Sequence, residues 1–129
     1  MQAEKISKNV ASALGYLEDA LNQQANLSDE EVIRLAWRAA SDLEYCLFLF
    51  SLAHQEDAPK SSWKLPKTKQ PNINSLLTSA HHFLKEVVDS LEVDDLNEAH
   101  KKTWLVRGQL HKIHDLFWKK RGRIQKLSR

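Results

Sequence analysis

LNEAHKKTWLVRGQLHKIHDLFW, residues 96–118, is the stretch on which the reading of the whole chain turns. Within it Leu96, Ala99, Thr103, Val106, Leu110, Ile113 and Phe117 follow one another at alternating steps of three and four. That spacing lines seven side chains along one face of an α-helix, forming the seam by which helices pack side by side. Asp95 with Glu98 makes a capping pair at its start. Ile124 and Leu127 keep the same phase, so the helix is expected from about Leu96 to at least Lys120, with an extension into the tail.

Working backwards, Ile73, Leu76, Leu77, Ala80, Leu84, Val87, Val88 and Leu91 form a second apolar stripe, opened by Asn72 or Asn74 as the cap. An earlier helix begins at a capping box, Ser28 followed by Glu31, with Leu27 and Val32 placed as a hydrophobic staple. Its first half is amphipathic, with Val32, Ala36, Ala39, Ala40 and Leu43 on one side and Arg34 and Arg38 on another. Its second half, running to about Gln55, is apolar nearly all round from Cys46 to Phe50 and must be surrounded, by other helices or by a second subunit. The first helix, about Ala3 to Gln23, carries Ile6, Val10, Ala13, Leu14, Leu17 and Leu21 on one face. Gly15 inside it is expected to mark a close helix crossing, since an interior glycine otherwise costs about 1 kcal/mol.

Residues 57–72 hold all three prolines, Pro59, Pro66 and Pro71, with Lys60, Lys64, Lys67 and Lys69. This is a loop, long for a compact bundle, with Trp63 and Leu65 expected to pin it to the body. With three Gly and three Pro in 129 residues, the turn residues that an all-β domain needs are missing. The expected fold is therefore one all-α domain over 1–129, an antiparallel four-helix bundle with a long basic C-terminal helix.

The lone Cys46 excludes an intrachain disulfide and fits a reducing, cytoplasmic setting. The N-terminal residues do not read as a secretory signal, and no apolar run approaches the roughly 20 residues of a membrane span. The formal charge of +2 hides a polarity. Residues 1–100 carry nine Lys or Arg against sixteen Asp or Glu, and residues 101–129 carry ten against Asp115 alone. Such a gradient directs the basic end toward an acidic partner, or brings copies of the chain together.

Shifted one position from the seam lies another row: His100, Trp104, Arg107, His111, His114 and Trp118. These six share one edge of the helix, a titratable strip bracketed by tryptophans, with Gly108 leaving room for a ligand or backbone to approach. Beyond it come Lys119, Lys120, Arg121, Arg123, Lys126 and Arg129 without an acid, suited to phosphates and to the negative end of the helix dipole. Cys46, inside an apolar run, reads as packing rather than as a nucleophile.

Arg107 and His114 stand in an R-x6-H arrangement that resembles the ribonuclease motif of HEPN domains, helical bundles of similar length that often dimerise. The resemblance implies Arg107 and His114 as catalytic residues at an RNA phosphodiester, an Arg stabilising phosphoryl charge and a His moving a proton. Gly108 departs from it, because that family usually has a polar residue after the Arg. The run Ala80-His81-His82-Phe83-Leu84-Lys85-Glu86 resembles the phosphoacceptor segment of histidine phosphotransfer domains, which implies His82 as acceptor. Glu86 stands where that family keeps a glycine, and its carboxylate would repel a phosphoryl group.

The reading preferred is a non-catalytic interaction module, expected as a homodimer. It binds nucleic acid or an acidic protein through Trp104, His111, Trp118, Lys119, Lys120, Arg121 and Arg123. No cofactor, no metal and no membrane association are expected. His111 and His114 stand one turn apart, and His81 or His82 could join them from a neighbouring helix. Zinc wants three or four ligands, however, and Glu98-Ala99-His100 is not the Glu-x-x-His of di-iron bundles.

Overall fold

The computed structural model describes residues 2–23, 26–53, 63–64 and 72–127, with side chains described over 4–23, 26–53, 63–64 and 72–119. Four helices follow in order: α1 (Gln2–Asn22), α2 (Asp29–Ala53), α3 (Ile73–Glu92) and α4 (Leu96–Leu127). There is no strand among the described residues.

The starts are set by local polar chemistry. The Glu31 backbone N–H donates to Ser28 Oγ at 3.2 Å, and Val32 is buried with Leu27 partly buried beside the core. Asn72 caps α3 with a reciprocal box, its side chain accepting from the Ser75 N–H at 2.8 Å while Ser75 Oγ accepts from the Asn72 N–H at 3.2 Å. Asp95 Oδ1 accepts from the Glu98 N–H at 3.2 Å and opens α4. The α3–α4 turn is a Schellman closure: the Asp95 N–H bonds the Ser90 carbonyl at 2.8 Å and the Asp94 N–H bonds the Leu91 carbonyl at 3.2 Å. Asp94 takes the left-handed conformation that this needs, at φ 55°.

The long seam is continuous. Ala99, Thr103, Val106, Leu110, Ile113 and Phe117 are all buried on an unbroken helix, and Leu96 packs partly buried at its start. Their neighbours in the core are Leu17, Leu43, Phe50, Leu77 and Leu84. Thr103 resolves its buried hydroxyl by donating to the Ala99 carbonyl at 2.7 Å.

Side-chain pairs give the direction of each helix. Phe50 lies against His100, Glu44 against Arg107 and Trp37 against His114, so α4 rises as α2 descends. Ser79 with Gln109 and Glu86 with Lys102 set α3 antiparallel to α4, as Glu18 with His81 and Val10 beside Val88 do for α1 and α3. Ile6 beside Cys46 at one height and Asp19 with Arg34 and Arg38 at another do the same for α1 and α2. Around the bundle the order is α1, α2, α4, α3, with every neighbour antiparallel. It follows that α2 and α3, consecutive in sequence, occupy opposite corners and run the same way.

This topology explains the length of the segment between them. A chain leaving the end of α2 must return along the bundle to begin α3, whose 20 residues span about 30 Å. The 54–72 stretch can reach that far at about 3.3 Å per residue, and a tight hairpin could not. Most of the proline- and lysine-bearing loop expected at 57–72, including Leu65, lies outside the described residues. Trp63 is described, and it does pack on the body, against His100 and Trp104 of α4.

One expectation changes, and another is met only in part by the helices of the chain itself. Gly15 marks no crossing: it is exposed, and a Cβ built on it would meet nothing within 4 Å. The apolar second half of α2 is only partly enclosed. Cys46, Leu47, Leu49 and Phe50 are buried, whereas Phe48 is 58% exposed. Three helices cannot wrap every side of a corner helix that contacts only two of them.

Candidate functional site

The edge of α4 that carries His100, Trp104, Arg107, His111, His114 and Trp118 divides into two halves with different surroundings. His100 is buried at 2% exposure, stacked on Phe50 with ring centroids 5.1 Å apart and planes at 11°. The edge of Trp63 closes over it at 5.1 Å, and Trp63 also meets Trp104 at 5.9 Å. This lower half is an aromatic clasp holding Trp63 to α4. Trp104, expected to bind a partner, is placed in that clasp and apart from the other candidates.

The upper half faces α2 and is open. Glu44 Oε1 accepts from Arg107 Nη1 at 3.2 Å and stands 3.7 Å from His111 Nε2. One turn further, the Trp37 indole lies over His114 with centroids 4.7 Å apart and planes at 30°, and its ring is 5.8 Å from that of His111. The Trp118 indole N–H donates to His114 Nε2 at 2.7 Å. An indole N–H can only donate, so in neutral His114 the ring proton sits on Nδ1. His114 is thus fixed from two sides by tryptophans.

Beside this contact lies an open groove of about 460 Å³ lined by residues of α2 and α4. It is lined by Glu30, Arg34, Trp37 and Arg38 of α2 and by His114, Phe117 and Trp118 of α4. Trp37 and Trp118, both lining the groove, are 48% and 51% exposed. Lys119 follows directly on α4 and is exposed. The helix backbone continues through Leu127, whereas the side chains of Lys120, Arg121 and Arg123 lie outside those described. The groove therefore combines flat aromatic faces with cations, an arrangement that stacks planar groups and holds anionic ones.

Arg107 and His114 share an edge but stand seven residues, about 10 Å, apart along the axis. Between them the Glu44 carboxylate neutralises Arg107, and Trp118 occupies the lone pair of His114 Nε2. Such a pair can orient and hold a ligand. For phosphodiester cleavage the guanidinium would first have to leave its carboxylate. On α3, His82 pairs with Glu86 at 2.9 Å, and Glu86 also accepts from Lys102 Nζ at 2.6 Å. His82 is therefore one end of a polar chain in which the Glu86–Lys102 pair ties α3 to α4. No group of three or more His, Cys, Asp or Glu placed to hold a metal ion occurs among the described residues. No described helix is long and apolar enough to cross a membrane.

Trp37, Glu44, Arg34 and Arg38 complete the site from α2, and none of the four was read in the sequence as a site residue, Arg34 and Arg38 standing only for the polar side of that helix. The signal lay in register: with α2 antiparallel to α4, each step up from Arg107 to His114 matches an equal step down from Glu44 to Trp37. No family model, curated protein or solved structure matches this chain.

Proposed function

We propose that the chain is a non-catalytic helical module that binds single-stranded nucleic acid in the groove between α2 and α4, aided by the basic C-terminal end of α4. The observation that carries this reading is the pair of half-exposed indoles, Trp37 and Trp118, flanking one groove beside Arg34 and Arg38. Every base has a π-face, so aromatic platforms beside cations bind single strands with little regard to sequence. Lys119 to Arg129 hold six Lys or Arg and no acid, and they supply the phosphate contacts that such binding uses. The Glu44–Arg107 ion pair weighs against the ribonuclease reading, because it occupies the charge that cleavage would require. The buried, single Cys46 suits a reducing cytoplasmic setting.

Fluorescence anisotropy of a labelled oligothymidylate or oligouridylate, titrated at several salt concentrations, tests the proposal. Binding is expected at about 50 mM salt and should fall steeply with added salt. Trp37→Ala and Trp118→Ala should each weaken it by about 5- to 100-fold, the usual worth of one stacked base. Arg34→Ala should lower the salt slope by about one. No binding at low salt would overturn the proposal in favour of an acidic protein partner. Binding indifferent to both tryptophans would overturn the groove as its site.

A further inference from the structure

Along its outer side α2 leaves a row of large apolar residues uncovered. Trp37, Tyr45, Phe48 and Leu52 are 48%, 43%, 58% and 43% exposed. With Ser41 between them they recur at steps of four, four, three and four, which keeps them on one face over about 22 Å of helix. No charged residue stands in the row, and Tyr45 and Phe48 already stack on each other at 6.5 Å. The other exposed large hydrophobics among the described residues are Val93 in a turn and Trp118 beside Trp37. The exposed apolar surface is therefore concentrated on this helix, the pattern of an interaction face and not of scattered surface residues.

The order of sizes along the row points to its occupant. If α2 meets a second α2 running antiparallel, about a twofold axis between Glu44 and Tyr45, then Phe48 comes opposite the partner's Ser41. The same operation sets Trp37 opposite the partner's Leu52 and brings the two Tyr45 rings together. The one small residue of the row thus faces one of its bulkiest, as a knob needs a hole, and the pattern satisfies itself as an isologous contact must. Glu44, near the axis, would bring two carboxylates together. Each is already neutralised by Arg107 of its own chain, at 3.2 Å.

We propose that this face pairs with a second copy of the chain, α2 against α2 in that register, to form a twofold dimer. Half-exposed aromatics of about 150–250 Å² each give the row on the order of 350–400 Å² of apolar surface per copy. A standard interface uses roughly 800 Å² per partner, so the neighbouring polar residues Arg38, Glu44 and His111 complete the rim. The dimer is accordingly reversible and concentration-dependent. It does not rest on nucleic-acid binding, and its test is made without any nucleic acid.

Sedimentation equilibrium of the full chain should show the mean mass rise with concentration from 14.9 kDa toward twice that value. Phe48→Ser removes the knob and Ser41→Phe fills the hole, and each should weaken dimerisation by at least tenfold without lowering the thermal midpoint of the monomer. The double variant Ser41→Phe/Phe48→Ser exchanges knob and hole and should restore association to within a few fold of the original. A chain that stays monomeric at all concentrations overturns the proposal, and would leave the row to another protein or to residues 54–62 and 65–71 of the same chain. A dimer that survives Phe48→Ser, or a double variant no better than the singles, overturns it equally.

Discussion

Cys46 and Gly15 show how much the surroundings of one residue decide. The Cys46 thiol is enclosed by the core and donates to the Ile6 carbonyl at 3.7 Å. Burial, and after it the Asp42 carboxylate one turn earlier, pushes its pKa up to about 12. Since only the thiolate attacks, the folded protein is expected to resist a thiol reagent such as dithionitrobenzoate at neutral pH. Modification should then proceed at the rate at which the core opens and accelerate in denaturant; prompt stoichiometric labelling of the native chain would refute this. Gly15 is the converse case, a helical glycine with open space where its Cβ would be. Gly15→Ala should raise stability by up to about 1 kcal/mol, read from denaturant midpoints. A loss of stability would mean that another group needs that space.

Between α3 and α4 the contact is partly ionic, and its pH response can be given a sign. Lys102, hydrogen-bonded to Glu86 at 2.6 Å, holds the Glu86 carboxyl below its usual range, and Glu86 in turn raises Lys102. A lowered carboxyl pKa stabilises the fold above the unfolded value and is lost as pH falls through the folded one. Glu86→Gln should therefore cost no more than about 1 kcal/mol at neutral pH, because the pair is partly exposed. That cost should shrink below pH of about 4 and then vanish. Urea midpoints of the two proteins against pH check this, and a difference that persists in acid would assign the effect to packing.

What the sequence made legible also belongs to single helices. The α4 seam was readable because burial imposes a period on the residues of that helix alone. The Ser28, Asn72 and Asp95 starts were readable because a cap and its target lie three residues apart. His100 was misplaced on an open edge: nothing within α4 says that Phe50 and Trp63 cover that height and leave His114 open. Trp37 was missed for the same reason, since its meeting with His114 depends on how α2 and α4 register. That register is fixed by a topology in which α2 and α3 stand at opposite corners. Periodicity reports which face is buried, but not which residue of another helix it will meet.

At the scale of the molecule, one fact organises the rest. The antiparallel pairing of α2 and α4 sets an aromatic clasp at one end, an ion pair at Glu44 and Arg107 in the middle, and an open groove at the other end. That open end is also where the basic residues of α4 accumulate, while residues 1–100 carry the acidic excess. The proposed binding rests on that coincidence of aromatic groove and basic sequence at one end of α4. The dimer face proposed on the same α2 helix includes Trp37, so a bound strand and a second subunit would compete for that indole.

Ultraviolet cross-linking of a bound oligothymidylate, with the modified residues mapped by mass spectrometry, tests the central claim most directly. Attachment is predicted at Trp37 and Trp118, with Trp63 and Trp104 spared because they close on each other and on His100. Cross-links confined to Trp63 and Trp104, or to segments outside the α2–α4 groove, would contradict the account.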